Sequence, residues 1–118
     1  MNKINFKTKS LLDGKEIAGP VATDEKYILL SLFVGQFRLL DDIQEVIDDL
    51  ENVKSGAKDW EEIIAPLGNN WDIAYGNGNL DIENDTAYFL AEDKENQSFK
   101  MPLQELIDLM KDWKSFMS

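Results

Sequence analysis

The feature that most constrains the fold is a segment in which apolar residues recur at helical spacing between acidic ones. Over residues 39–55 the apolar side chains fall three or four positions apart, which places them on one face of a helix. They are Leu39, Leu40, Ile43, Val46, Ile47, Leu50 and Val53. Ser55 and Gly56 end the pattern, and Lys54 lies near the negative end of the helix dipole. The spacing predicts an amphipathic helix that needs an apolar surface to cover.

Two further helices are predicted. Pro102 is suited to a first helical position, and an apolar stripe follows it to the end of the sequence. The stripe consists of Leu103, Leu106, Ile107, Met110, Trp113 and Met117. A short helix is predicted over residues 60–65, with Asp59 as its N-cap and Pro66 at its end.

Alternating apolar and polar residues predict strands at 71–75, 79–83, 86–91 and 98–101. A hairpin turn at Gly76-Asn77-Gly78, a turn at Asn84-Asp85 and a charged turn before residue 98 separate them. Residues 3–10 are typical of a weak strand. At most a short strand fits between the breaks at Asp13-Gly14 and Gly19-Pro20. Residues 27–37 are almost continuously apolar, and we expect them to form a buried central strand.

These elements predict an α+β fold in a single domain over residues 1–118. An antiparallel meander forms the C-terminal half and is joined to strands from the first half. Two long amphipathic helices cover one face of the sheet.

The composition closes most routes to catalysis. The 118 residues include no His and no Cys, which removes the usual general base, the commonest metal ligand and every thiolate. Carboxylates alone act as acid and base only when two are held across a cleft with separated pKa values. We therefore expect a protein that binds rather than catalyses, with no cofactor and no metal. An enzyme that uses carboxylates with a divalent metal is the alternative.

The net charge of −11 is concentrated in the middle of the chain. Residues 1–38 carry +2, residues 39–93 carry −13 and residues 94–118 are neutral. Such a charge opposes binding to nucleic acid or to an anionic membrane and attracts a basic partner. No apolar run has the length of a signal peptide or a membrane span, so we expect a cytoplasmic protein.

The acidic residues of the predicted helix 39–55 are the first candidate interface. They are Asp41, Asp42, Glu45, Asp48, Asp49 and Glu51. Carboxylates three or four positions apart repel one another, and no Lys or Arg precedes Lys54 in this helix. The pattern fits either a solvated helix face or a surface that meets a basic protein.

The predicted hairpin is the second candidate interface. Asp81, Glu83 and Asp85 alternate along it, and their spacing lacks the Gly and the bidentate Glu of a calcium loop. Trp60 and Trp71 flank the Pro66-to-Asn70 loop beside the acidic region, and an exposed Trp among acids would anchor a partner. Packing in the core is the alternative for Trp60 and Trp71, and it is the expected role of Trp113.

Four blocks of sequence resemble a known family. LFVGQFRLLDDIQEVIDDLENVKSG, NNWDI, DTAYFL and MPLQELIDLMKDWKSF are similar to small acidic bacterial proteins encoded beside polymorphic or contact-dependent toxins. The resemblance covers about residues 27–118. It implies an immunity protein that binds a cognate toxin domain, often a basic nuclease, in the cytoplasm. It defines no binding residue, so the candidate residues above rest on charge alone.

A non-catalytic adaptor or scaffolding subunit of a cytoplasmic assembly is the alternative function. In that role the acidic residues would serve only solubility.

Overall fold

Two strands, three helices, four strands and a final helix follow one another in the computed structural model of the chain, which describes residues 2–92 and 97–118. The strands of this part are β1 Ile4–Ser10, β2 Glu16–Ala22, β3 Trp71–Ile73, β4 Gly78–Glu83, β5 Thr86–Ala91 and β6 Phe99–Pro102. The helices are α1 Ile28–Gly35, α2 Leu40–Ser55, α3 Trp60–Ile64 and α4 Leu103–Met117. Short 3-10 turns at Glu25–Tyr27 and Ala65–Leu67 adjoin α1 and α3. The predicted α+β class is confirmed.

Strands β3 to β6 form the predicted antiparallel meander, in the order β3-β4-β5-β6. One row of paired residues runs across the sheet from Trp71 through Leu80 and Phe89 to Phe99. The first three of these side chains are buried, and Phe99 is half-buried. This row therefore marks the inner face of the sheet. The predicted charged turn falls partly on residues 93–96, which lie outside the described residues.

Strands β1 and β2 form a separate antiparallel hairpin, so the predicted continuity with the meander is wrong. The expected break at Gly19-Pro20 is also wrong, because β2 continues through it. Hydrogen bonds from the Thr23 N–H to the Lys3 oxygen and from the Leu11 N–H to the Lys15 oxygen fix the bonded pairs of the ladder. Pro20 pairs with Phe6 at a non-bonded position, where the missing N–H costs no hydrogen bond.

The central strand predicted over residues 27–37 is wrong, because this segment forms α1. A continuous apolar run has neither a helical nor a strand period, and a helix buried on all sides needs none. Leu29, Leu30, Phe33 and Val34 are fully buried. The Asp24 carboxylate accepts the Lys26 N–H at 3.1 Å and so begins the helical turn.

Helices α2 and α4 are the two long amphipathic helices that the spacing predicts, and they pack together on the inner side of the sheet. Leu39 and Leu40 differ from the prediction. Leu39 is the N-cap of α2, and both side chains are exposed. Trp113 is fully buried, as expected, and its indole N–H donates to the Phe37 carbonyl at 2.7 Å. This bond ties the end of α1 to α4.

The β3–β4 turn lies earlier than predicted. Ala74, Tyr75 and Gly76 have φ of 50°, 57° and 92°, whereas Gly78 already belongs to β4. Gly78 is needed because a side chain would not fit at this position, and not because its φ is positive. A Cβ at this position would lie 2.5 Å from the Leu90 carbonyl oxygen.

We expect Gly78→Ala to lower the free energy of unfolding by about 1–3 kcal/mol, because the added methyl group meets backbone that cannot move freely. Gly19→Ala is the matched control. No atom lies within 4 Å of a Cβ there, and Gly19 has no positive φ. The control should leave stability unchanged or raise it by about 0.5 kcal/mol. Urea denaturation measures both, and equal effects would show that the close approach at Gly78 is unimportant.

Candidate protein-binding site

Five acidic residues of α2 lie together on the surface of the helix that faces away from the core. Asp41, Asp42, Glu45 and Asp48 are exposed, and Asp49 is half-buried. The helix buries Ile43, Val46, Ile47 and Leu50, and this orients the carboxylates outward. Within the described residues none of the five forms an ion pair. We call these five residues the α2 acidic face.

Two of the predicted interface acids, Glu51 and Asp85, form ion pairs with lysines of the same chain. The Lys111 ammonium of α4 lies 2.7 Å from the Glu51 carboxylate, and the hydrogen bond between them raises the pKa of Lys111. Lys54 lies 3.5 Å from Asp85. Lys111 relieves part of the repulsion expected along α2. Both ion pairs were missed because Lys111 comes from a distant helix and Lys54 reaches the β4–β5 turn.

A cavity of about 340 Å³ lies along the α2 acidic face. Its walls combine carboxylates and one apolar side chain of α2 with side chains from β3, from the 3-10 turn after α3 and from the two residues that follow α1. They are Gln36, Phe37, Asp42, Glu45, Val46, Asp49, Leu67 and Trp71. Leu67 is 52% exposed between Pro66 and Gly68, so this side of the cavity is open to solvent. The cavity places three carboxylates against an aromatic surface.

Asp49 is the most strongly perturbed acid of this face. Burial raises the pKa of its carboxyl above the usual 3.8, and the charges of Glu45 and Asp48 raise it further. The charge of Lys58 acts in the opposite direction. Negative charge at this position is therefore poorly compensated within the protein.

Trp60 is not an exposed anchor, and this part of the interface prediction is wrong. Its side chain is only 6% exposed and stacks on Trp71, with ring centroids 5.6 Å apart and planes 2° from parallel. The start of α3 holds it there. Glu62 accepts the backbone N–H of Asp59 at 3.3 Å, in the manner of a capping box. Trp60 supports Trp71, which lines the cavity.

The hairpin acids do not join the α2 acidic face. Asp81 alternates with the buried Leu80 and Ile82, so it lies on the outer face of the sheet, opposite the helical layer. Glu83 and Asp85 line a separate depression of about 240 Å³ near the C-terminal end of α2. The two predicted segments therefore form separate surfaces.

Tyr75 is a candidate residue that the sequence patterns missed. Its side chain is fully exposed at the tip of the β3–β4 turn, although its φ of 57° is unfavourable for a bulky residue. The Ala74 N–H donates to the Gln36 side chain at 2.6 Å, which holds the turn beside the cavity. Strained residues of this kind concentrate at functional sites. The sequence Gly76-Asn77-Gly78 predicted a turn in this region, but the turn begins earlier, at Ala74.

We expect Asp49→Asn to be more stable than the parent at pH 7. The folded chain holds the Asp49 proton more tightly than the unfolded chain, so stability falls as the pH rises through the raised pKa. The neutral amide avoids this loss. Its advantage should disappear below about pH 3.8, the usual value for the group. Chemical denaturation at several pH values measures the difference.

Asp41→Asn is the control for this experiment. Asp41 is exposed in the first turn of α2, where a negative charge is favourable. The control should lose a little stability at pH 7. An Asp49→Asn variant that behaved in the same way would contradict the assignment of a destabilising charge to Asp49.

We expect Tyr75→Gly to raise the free energy of unfolding by up to about 1 kcal/mol, because glycine adopts a positive φ without steric cost. Tyr75→Ala keeps the unfavourable φ and should give no gain. The exposed side chain contributes no core packing that either variant would lose. Thermal unfolding compares the two, and equal stability would argue against strain at this turn.

Comparisons with known proteins identify no match for this chain. The sequence matches no protein-family model and no curated protein, and the fold matches no solved structure. Within residues 2–92 and 97–118, no three acidic side chains are grouped as metal ligands. No helix in that part of the chain has the length and apolar character to cross a bilayer. The role of the site therefore rests on its own geometry and charge.

Proposed function

We propose that this chain is an immunity protein that binds and neutralises a basic toxin domain through the α2 acidic face. One observation carries the proposal. Five carboxylates that form no ion pair within the described residues lie beside an open cavity that Phe37 and Trp71 help to line. The cavity supplies apolar contact area, and the carboxylates supply charge recognition.

The charge arrangement favours a cationic partner over a purely solvated surface. Asp42, Glu45 and Asp49 are three or four positions apart and repel one another along the helix. The raised pKa of Asp49 reflects the same crowding together with burial. A Lys or Arg from a partner would stabilise the ionised form of these groups and offset the repulsion.

The cavity is suited to a long basic side chain. Phe37 is half-buried and supplies aromatic surface for the alkyl stem or the guanidinium plane, and the carboxylates of α2 lie beside it. Trp71 also lines the cavity but is only 7% exposed. Tyr75 is fully exposed and lines a separate depression of about 610 Å³, which shares Gln36 with the cavity. Tyr and Trp often carry a large share of the binding energy at protein interfaces.

A nuclease toxin fits this surface because its substrate groove must be basic to hold phosphates. An acidic protein in that groove excludes the substrate without any catalytic group of its own. The sequence resemblance to immunity proteins of toxin systems supports this identity and a role in the cytoplasm. An adaptor in a cytoplasmic assembly would not require the face to carry unpaired carboxylates.

We expect the triple variant Asp42→Asn, Glu45→Gln, Asp49→Asn to associate with the toxin domain encoded beside this gene at least about tenfold more slowly. The dependence of the association rate on salt should also weaken, since fewer charges steer the encounter. Stopped-flow fluorescence at several ionic strengths measures both quantities. Co-expression with the active toxin domain provides a survival assay.

A second triple variant controls for net charge. Asp13→Asn, Glu16→Gln and Glu25→Gln remove three exposed acids outside α2. This control should retain most of the association rate and full protection. If the two triple variants slow association equally, the α2 acidic face is not the interface. If the parent neither binds nor protects against the neighbouring toxin, the adaptor role is favoured.

A further inference from the structure

Strand β1 has an open edge. Its only strand partner in the described residues is β2, and the hydrogen-bonded pairs of this hairpin lie at odd-numbered positions of β1. The backbone N–H and C=O groups of Ile4, Phe6, Thr8 and Ser10 therefore point away from β2. No hydrogen bond within the described chain occupies them. An edge of this length is a template for another strand.

A groove of about 470 Å³ lies between the first part of this edge, as far as Phe6, and α4. The strand and the helix run in the same direction along it. Lys3 pairs with Glu105 at 2.6 Å near one end, and the rings of Phe6 and Phe116 lie 5.5 Å apart near the other. Leu109 also lines the groove. An extended chain placed beside β1 would therefore have one set of side chains facing α4.

The α4 side of the groove carries two acids that form no ion pair within the described residues, although Asp108 lies close enough to Lys111 to act on its charge. Asp108 and Asp112 are exposed and line the groove, and neither forms an ion pair within the described residues. Asp108 accepts only a hydrogen bond from the Gln104 amide at 2.9 Å. Four residues of helix rise about 6 Å, close to the roughly 6.7 Å between alternate residues of a strand. Two basic side chains at alternate strand positions match this spacing.

A second copy of this chain fits the edge poorly. Lys7 and Lys9 project from β1 on the side opposite the buried Ile4. Antiparallel self-pairing centred on Lys7 would place two lysines directly opposite each other, which is destabilising. The charge pattern favours a different chain, with basic side chains toward α4 and neutral or acidic ones toward the lysines.

We propose that the groove between β1 and α4 binds an extended segment of another protein by strand addition. The segment carries Lys or Arg at two alternate positions, and these meet Asp108 and Asp112. Main-chain hydrogen bonds to the open edge supply affinity, and the two acids supply selectivity. The site is separate from the α2 acidic face and does not depend on the function proposed for it.

The direct test is an NMR titration of the ¹⁵N-labelled protein with the capped peptide Val-Thr-Arg-Thr-Arg-Thr-Val. We expect the amide protons of Ile4, Phe6, Thr8 and Ser10 to move downfield as hydrogen bonds form, and residues of α4 along the groove to shift. Replacing both Arg residues of the peptide by Glu should abolish the shifts. Their absence at millimolar peptide would overturn the proposal.

Variants of the protein separate strand addition from simple charge attraction. Thr8→Pro removes one outward N–H that β2 does not use, and Pro is tolerated at such an edge position. Thr8→Ala is the control, since it loses the same hydroxyl but keeps the N–H. We expect at least fivefold weaker peptide binding for Thr8→Pro than for Thr8→Ala. Asp108→Asn with Asp112→Asn should weaken binding by a similar factor.

Equal peptide binding by the two Thr8 variants would overturn strand addition. Equal binding by the Asp108, Asp112 double variant and the parent would overturn the choice of a basic segment. Sedimentation of the parent as a dimer, reversed to monomer by Thr8→Pro alone, would show that a second copy occupies the edge instead.

Discussion

The packing of the Phe33 ring is the interaction on which the rest of the structure depends. This fully buried side chain of α1 contacts Phe37, Trp71 and Phe89, with centroid distances of 5.3, 5.8 and 5.8 Å. It therefore joins α1 to two strands of the meander. Each such contact contributes about 0.5–1.5 kcal/mol beyond burial of its area. Without α1 as a helix, these rings would not meet.

The candidate site is built directly on this aromatic cluster. Trp71 contacts Phe33 on its inner side, stacks on Trp60 and lines the cavity beside the α2 acidic face. The carbonyl of Phe37 accepts the indole N–H of Trp113, which holds the end of α1 against α4. The cavity walls are thus fixed by core packing. A partner would meet a surface that is already arranged, with little ordering cost on this side.

The sequence predicts the elements that have a clear period and misses those that depend on tertiary contacts. Both long helices and the meander follow from apolar spacing. Helix α1 does not follow from the spacing, because a continuous apolar run is compatible with a buried strand or a buried helix. The tertiary packing of this segment decides between the two. The acidic residues of the candidate site follow from the sequence of α2. The ion pairs Lys111–Glu51 and Lys54–Asp85 do not, because each joins residues that are far apart in the sequence. The exposure of Tyr75 depends on where the β3–β4 turn begins.

The central claim is that the α2 acidic face is the surface that meets a basic partner. Chemical-shift mapping of the labelled protein in complex with the proposed toxin partner tests it most directly. The account predicts the largest shifts at residues 41–49 and 71–76, weakening together as salt is raised. A complex that leaves the amides of α2 unshifted would contradict it.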